Sequence, residues 1–153
     1  MGKDDSSAVV VQLASSSNAV SASVQDSLRT NEAPQAMVSA DKTLPCAGGG
    51  SIAVAGDLTG DLDASATGSY QLDLMTTFTD CALGNGLVVN GAPYLTTTGT
   101  MTYRSGALTV AAISYSGAFT ANGDTCNIDV TLSIAPSFSA SGVVCGSAVK
   151  LSQ

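Results

Sequence analysis

From Gly48 onward the chain alternates apolar and polar residues in short runs rich in Thr, Val, Ile and Tyr, and glycine or asparagine interrupts those runs. A period of two sends successive side chains to opposite faces, so each run reads as a strand with one buried side. The candidate strands cover residues 51–58, 69–79, 86–90, 94–103, 107–113, 114–120, 127–134 and 138–151. Gly84-Asn85-Gly86, Asn90-Gly91, Arg104-Ser105-Gly106 and Asn122-Gly123-Asp124 supply turns between them. Short links of this kind join antiparallel neighbours, and no strand and helix rhythm points to a doubly wound nucleotide-binding sheet. Large side chains switch parity between Val110 and Ile113, and Gly117 follows, which argues for bulges and curvature. The pattern predicts a mainly β chain, built as a curved antiparallel meander or a partly closed barrel, with a β-sandwich as the alternative.

The first part of the chain has a different period. Val9, Val10, Leu13, Val20, Val24 and Leu28 recur mostly at three-, four- and seven-residue intervals, with Ser15 to Asn18 interrupting them. This predicts an amphipathic helix over 7–28, capped by Ser6 or Ser7, with Ser, Asn, Gln and Asp on its opposite face. Serine and β-branched residues lower helix propensity, so the helix needs a surface to pack on, and the sheet supplies it. Residues 1–6 read as a polar tether. Residues 29–45, with Asn31, Pro34 and Pro45, read as a connecting segment, and 46–153 as the β-domain. At 153 residues the chain is long enough for a single domain.

Cys46, Cys81, Cys126 and Cys145 lie far apart, and with no histidine in the chain they fit neither a zinc ribbon nor a redox dithiol. Two disulfides in an oxidising compartment are the better reading. Antiparallel partners sit equidistant from the turn that joins them. Cys126 and Cys145 are symmetric about Ala135-Pro136, and Cys46 and Cys81 about the Gly60 to Ser65 segment, which ranks Cys46 with Cys81 and Cys126 with Cys145 first. Cys81 with Cys126, centred on Tyr103-Arg104, ranks second. Cys46 and Cys81 differ in parity relative to their strands, so a bulge or loop has to absorb one residue between them.

The absence of histidine removes Ser-His-Asp and Cys-His nucleophile systems, histidine bases and histidine metal sites together. A net charge of −7 and a pI near 4.1 oppose any footprint for nucleic acid or an anionic lipid surface. Asp57, Asp61 and Asp63 form the densest acidic segment, a calcium candidate that lacks EF-hand spacing and reads better as a solvated turn. Asp73 with Asp80 and Asp57 with Asp129 are the carboxylate pairs to weigh for glycoside chemistry, although the chain has no Trp to form a sugar platform. Should the sheet enclose a cavity, Tyr70, Met75, Phe78, Met101, Tyr103, Tyr115, Phe119 and Phe138 are its candidate lining residues. Core filling is the competing reading for the same side chains. No cofactor and no enzymatic activity are expected.

The segment Tyr70-Gln71-Leu72-Asp73-Leu74-Met75-Thr76-Thr77-Phe78-Thr79-Asp80-Cys81 is a strand that ends in an acid and a cysteine. With the short polar opening and the Thr- and Gly-rich strands, the chain resembles small secreted or lipid-anchored β-rich envelope proteins of bacteria. The resemblance implies export to the periplasm, an outer-membrane anchorage or the cell exterior. Any membrane attachment would come through a lipid anchor at the start of the chain. The expected function is a non-enzymatic structural or interaction module with a protein or envelope component as partner. The alternative is a carrier of a small apolar ligand.

Overall fold

The computed structural model describes residues 3–30, 37–60, 62–84, 86–91, 95–135 and 137–152. One helix, α1 (Lys3–Thr30), precedes ten strands among the described residues. They are β1 (Met37–Pro45), β2 (Ser51–Gly60), β3 (Gly68–Thr79), β4 (Cys81–Gly84), β5 (Leu87–Asn90), β6 (Leu95–Arg104), β7 (Ala107–Ala121), β8 (Asp124–Ala135), β9 (Ser139–Val144) and β10 (Ser147–Ser152). All pair antiparallel in one sheet of order β1-β2-β3-β6-β7-β8-β9-β10, while β4 and β5 form a side hairpin that rejoins the sheet through β7. This is the curved meander; β1 and β10 are not paired with each other, so the barrel stays open, and the two-sheet sandwich is set aside.

Alternation drives the strands. In β3, Tyr70, Leu72, Leu74, Thr76 and Phe78 are buried and the residues between them face outward. Curvature comes from glycine at mid-strand. Gly99 in β6 has φ +151°, and a Cβ there would lie 2.1 Å from the Ala112 carbonyl oxygen of β7. Gly142 in β9 repeats the arrangement, with φ +146° and the Asp129 carbonyl oxygen at 2.2 Å. Only glycine lets neighbouring backbones approach so closely while the strand bends. β7 does carry a bulge, but at Thr109 rather than between Val110 and Ile113: Thr102 pairs with Val110 but Tyr103 with Leu108, and the Thr109 hydroxyl donates to the Thr102 carbonyl at 3.2 Å. Val110 and Ile113 keep regular alternation, Val110 facing outward at 46% exposure and Ile113 buried.

Several expectations need correction. The runs 107–113 and 114–120 form one continuous strand, β7, and β4 lies outside the candidate strands. The helix begins at Lys3, inside the segment assigned to a tether. The segment 29–45 contains the edge strand β1, where Val38 and Ala40 point inward. Too few large apolar residues mark that strand, since Val38 and Ala40 are its two buried positions. The stretch 138–151 is a hairpin rather than one strand, since Cys145 and Gly146 take φ values of +52° and +79° and turn the chain. A Cys-Gly pair is a rare carrier of the conformation usually met as Asn-Gly.

The helix also differs from a simple amphipathic one. Val9, Val10, Leu13, Val20 and Val24 are buried as expected, and their burial is worth on the order of 10 kcal/mol before entropy is counted. Ser6, Gln12, Ser16, Ser17 and Ser21 are buried too, so the serine-rich face does not point to water. Exposed positions among the described side chains reduce to one narrow stripe, Val11, Ser15, Asn18, Ala22 and Asp26. Of all the strands, α1 packs most closely against the two edges, β1 and β10, and so fills the seam the open barrel leaves.

Candidate functional site

Large side chains pack the centre of the sheet. Tyr70, Phe78, Met101, Tyr103, Tyr115 and Phe119 are each at most 1% exposed and make up the centre of the core. Tyr70 and Tyr103 meet edge to face with centroids 6.1 Å apart, and Phe78 tilts against Phe119 at 5.7 Å. Met75 points outward and is 44% exposed. Phe138 is half-buried and borders a shallow surface hollow of about 270 Å³ with Val11, Ala14, Ser15 and Asn18 of α1. The eight residues considered as a cavity lining are therefore not brought together around a void: six fill the core, one faces solvent and one edges a hollow.

Where α1 meets the sheet, hydroxyl groups replace apolar contact. Tyr115 donates to the Leu13 carbonyl at 3.2 Å and is hydrogen-bonded to the hydroxyls of Ser16, at 3.4 Å, and Ser17. Tyr103 pairs with the Ser21 hydroxyl at 3.4 Å. Burial pushes the phenols of Tyr103 and Tyr115 above their usual range, and the serine hydroxyls partly offset this. These groups are sealed from solvent and serve docking of the helix. Sequence reasoning placed the serines on a solvated face because a buried serine and an exposed one look alike until a tyrosine hydroxyl on a distant strand is placed beside them.

The described carboxylates of the acidic segment are each held within the fold. Asp63 accepts from the Ser65 amide at 2.9 Å, the Ser65 hydroxyl at 2.7 Å and the Thr67 amide at 3.2 Å, which holds its carboxyl below the usual carboxylate range. Asp57 sits in β2 and accepts from the Ser39 hydroxyl at 3.1 Å, while Asp61 lies outside the described residues. Among the described residues, no three acidic or cysteine side chains converge as a metal-ligand set. Asp57 and Asp129 are on strands β2 and β8, far apart in the sheet order. Asp73 projects outward from β3, and Asp80 lies just past the end of that strand.

The bridges are Cys46–Cys81 and Cys126–Cys145, with Cα separations of 5.4 and 4.7 Å. The residue that absorbs the parity difference in the first is Asp80, which takes φ +43° between β3 and β4 and turns Cys81 into the core that also holds Phe78. The Asp80 amide is held by the Asn90 side-chain oxygen at 2.7 Å. Pro136, at the centre of the second pair, lies outside the described residues; β8 and β9 pair from Ile128 with Val144 to Ser133 with Ser139.

The outer face of the sheet carries a continuous polar line. One register line crosses every strand of the main path: Ser39, Asp57, Asp73, Thr98, Ser114, Thr131, Ser141 and Lys150 lie directly opposite one another in turn. Each is exposed or half-buried. Thr96, Thr98, Thr100 and Thr102 form a ladder along β6 on the same face. Neighbouring hydroxyls bind each other, Ser69 with Thr102 at 2.9 Å and Ser114 with Thr131 at 3.0 Å. These short side chains have little rotamer freedom to lose on contact, which makes the face a suitable docking surface. The edges are less suited: β1 carries Lys42 on its inward parity and ends in Pro45, both devices that deter edge pairing.

Comparison with protein-family models, with curated proteins and with solved structures returns no match. Among the described residues no helix is long and apolar enough to cross a membrane. The two disulfides are consistent with an oxidising, exported environment.

Proposed function

We propose that the protein is a non-enzymatic module of the bacterial envelope or cell surface that contacts a protein or envelope component through the outer face of its sheet. The observation that carries this reading is the polar register line across the main strand path, set beside large aromatic residues that pack in the core. Short hydroxyl-bearing side chains in fixed register present a preorganised surface. Export to the periplasm, to an outer-membrane anchorage through a lipid, or to the exterior fits the paired cysteines.

Native mass spectrometry of the protein isolated from its own host tests the reading, combined with cross-linking of intact cells. The expected result is a partner-sized mass that persists under native conditions, with cross-links from the outer face that vanish in T98K/S114K. A small mass released on denaturation would favour the carrier instead. Cross-links unaffected by T98K/S114K would remove the outer face as the contact surface.

A further inference from the structure

Both disulfides lie at the same end of the sheet, but their surroundings differ. Cys46 and Cys81 are 5% and 0% exposed. The 46–50 loop closes over their bridge: the Gly48 amide donates to the Ala82 carbonyl at 2.8 Å, and the Ala82 amide to the Gly49 carbonyl at 2.9 Å. Cys126 is also buried, but its partner Cys145 is only half-buried. Cys145 occupies the first position of the β9–β10 turn at φ +52°, a conformation that L side chains rarely adopt. A shallow hollow of about 270 Å³ bounded by Asn127, Asp129, Val143 and Gly146 opens beside this turn.

The bridge also guards the end of the sheet. Among the strands, β10 pairs with β9 alone, and β9 holds to β8 through six residue pairs. The same hairpin receives α1, with the Ser6 hydroxyl donating to the Val144 carbonyl at 3.4 Å. Thiol exchange requires a thiolate to reach a sulfur, so the accessible bridge reacts while the enclosed one survives.

We propose that Cys126–Cys145 is a reducible latch on the β9–β10 hairpin, whereas Cys46–Cys81 is a permanent staple. A thiolate of a dithiol reductant attacks the Cys145 sulfur and forms a mixed disulfide, and Cys126 leaves as a thiolate that takes up a proton. The second thiol of the reductant then displaces the Cys145 thiolate, which is protonated in turn, and the reductant ends as a disulfide. Two electrons pass from the dithiol to the protein. The Cys145 amide also donates to the Asn127 carbonyl of β8 at 2.8 Å. With the link open, only this bond and the β8–β9 ladder hold the turn, so the hairpin opens from β8 and the seam filled by α1 is uncovered. This goes beyond the proposed function and does not rest on it.

The test is a dithiothreitol titration of the folded protein, quenched by alkylation and read for each cysteine by mass spectrometry, with hydrogen exchange followed in parallel. Cys126 and Cys145 should become alkylated at least about ten-fold faster than Cys46 and Cys81. Residues 139–152 should lose protection while 51–79 keep theirs. The double variant C126S/C145S should stay folded by circular dichroism and show the same exchange at 139–152. Equal alkylation rates, earlier opening of Cys46–Cys81, retained protection of the hairpin in the opened protein, or a C126S/C145S chain that does not fold would each overturn the latch.

Discussion

Replacing Gly99 by alanine tests whether mid-strand glycine sets the curvature of the sheet. Two costs add. A residue with a side chain at φ +151° is in a region almost reserved for glycine, worth about 1–3 kcal/mol. The new methyl carbon would sit 2.1 Å from the Ala112 carbonyl oxygen and 2.9 Å from the Ile113 Cα, both backbone atoms of a paired strand that cannot rotate away. Relief means separating β6 from β7 and weakening ladder hydrogen bonds at about 1 kcal/mol each. The sum is about 3–5 kcal/mol, a large share of the roughly 5–15 kcal/mol that holds a domain folded. In a urea titration that loss lowers the midpoint by about 2 M. The control is Gly106→Ala: its φ is also positive, at +80°, but nothing lies within 4 Å of the added carbon. It should cost only about 1–2 kcal/mol, from backbone conformation alone. If both variants lose the same stability, close approach of β6 and β7 is not what requires glycine, and the account of curvature fails.

The helix seam gives a second prediction. Tyr115→Phe should destabilise the protein by about 1–3 kcal/mol in chemical denaturation, and adding Ser17→Ala should cost little more, because both partners of one hydrogen bond are then gone; strictly additive losses would show that the hydroxyls do not interact. Alkaline pH gives a third. Because burial raises the phenol pKa of Tyr103 and Tyr115 in the folded state, the unfolded chain loses those protons first, so stability holds below the ordinary value of 10.0 and declines above it. A melting temperature unchanged well above that pH would remove the assignment. Full reduction of both bridges should lower the melting temperature clearly, each native disulfide being worth about 2–5 kcal/mol, and calorimetry on protein with every thiol confirmed as reduced reads it directly.

Strands such as β2, β3, β6 and β8 were legible because alternation is a local property: each of Tyr70, Leu72, Leu74 and Phe78 declares its face by its spacing from the next. The short strand β4, the continuity of β7 and the split between β9 and β10 were not. A bulge in β7 was anticipated but misplaced, because Val110 was counted as a core residue and instead faces outward, while the bulge lies at Thr109. The first-ranked cysteine pairing followed from distance to a turn, again a property of the chain itself. The edge strand β1, the buried serines of α1 and the filled interior were not legible, and neither was the polar line over the outer face. Val38 and Ala40 mark too little apolar surface until a neighbour is known, and Ser17 counts as a surface residue until Tyr115 is placed opposite it. Thr98, Ser114 and Thr131 become neighbours only when register aligns three strands. Sequence by itself determined the elements and the faces they bury, because those depend on residues a few positions apart. The choice between a ligand cavity and a packed core, and the surface left for a partner, rested with the tertiary structure, because both depend on which distant side chains share the same space.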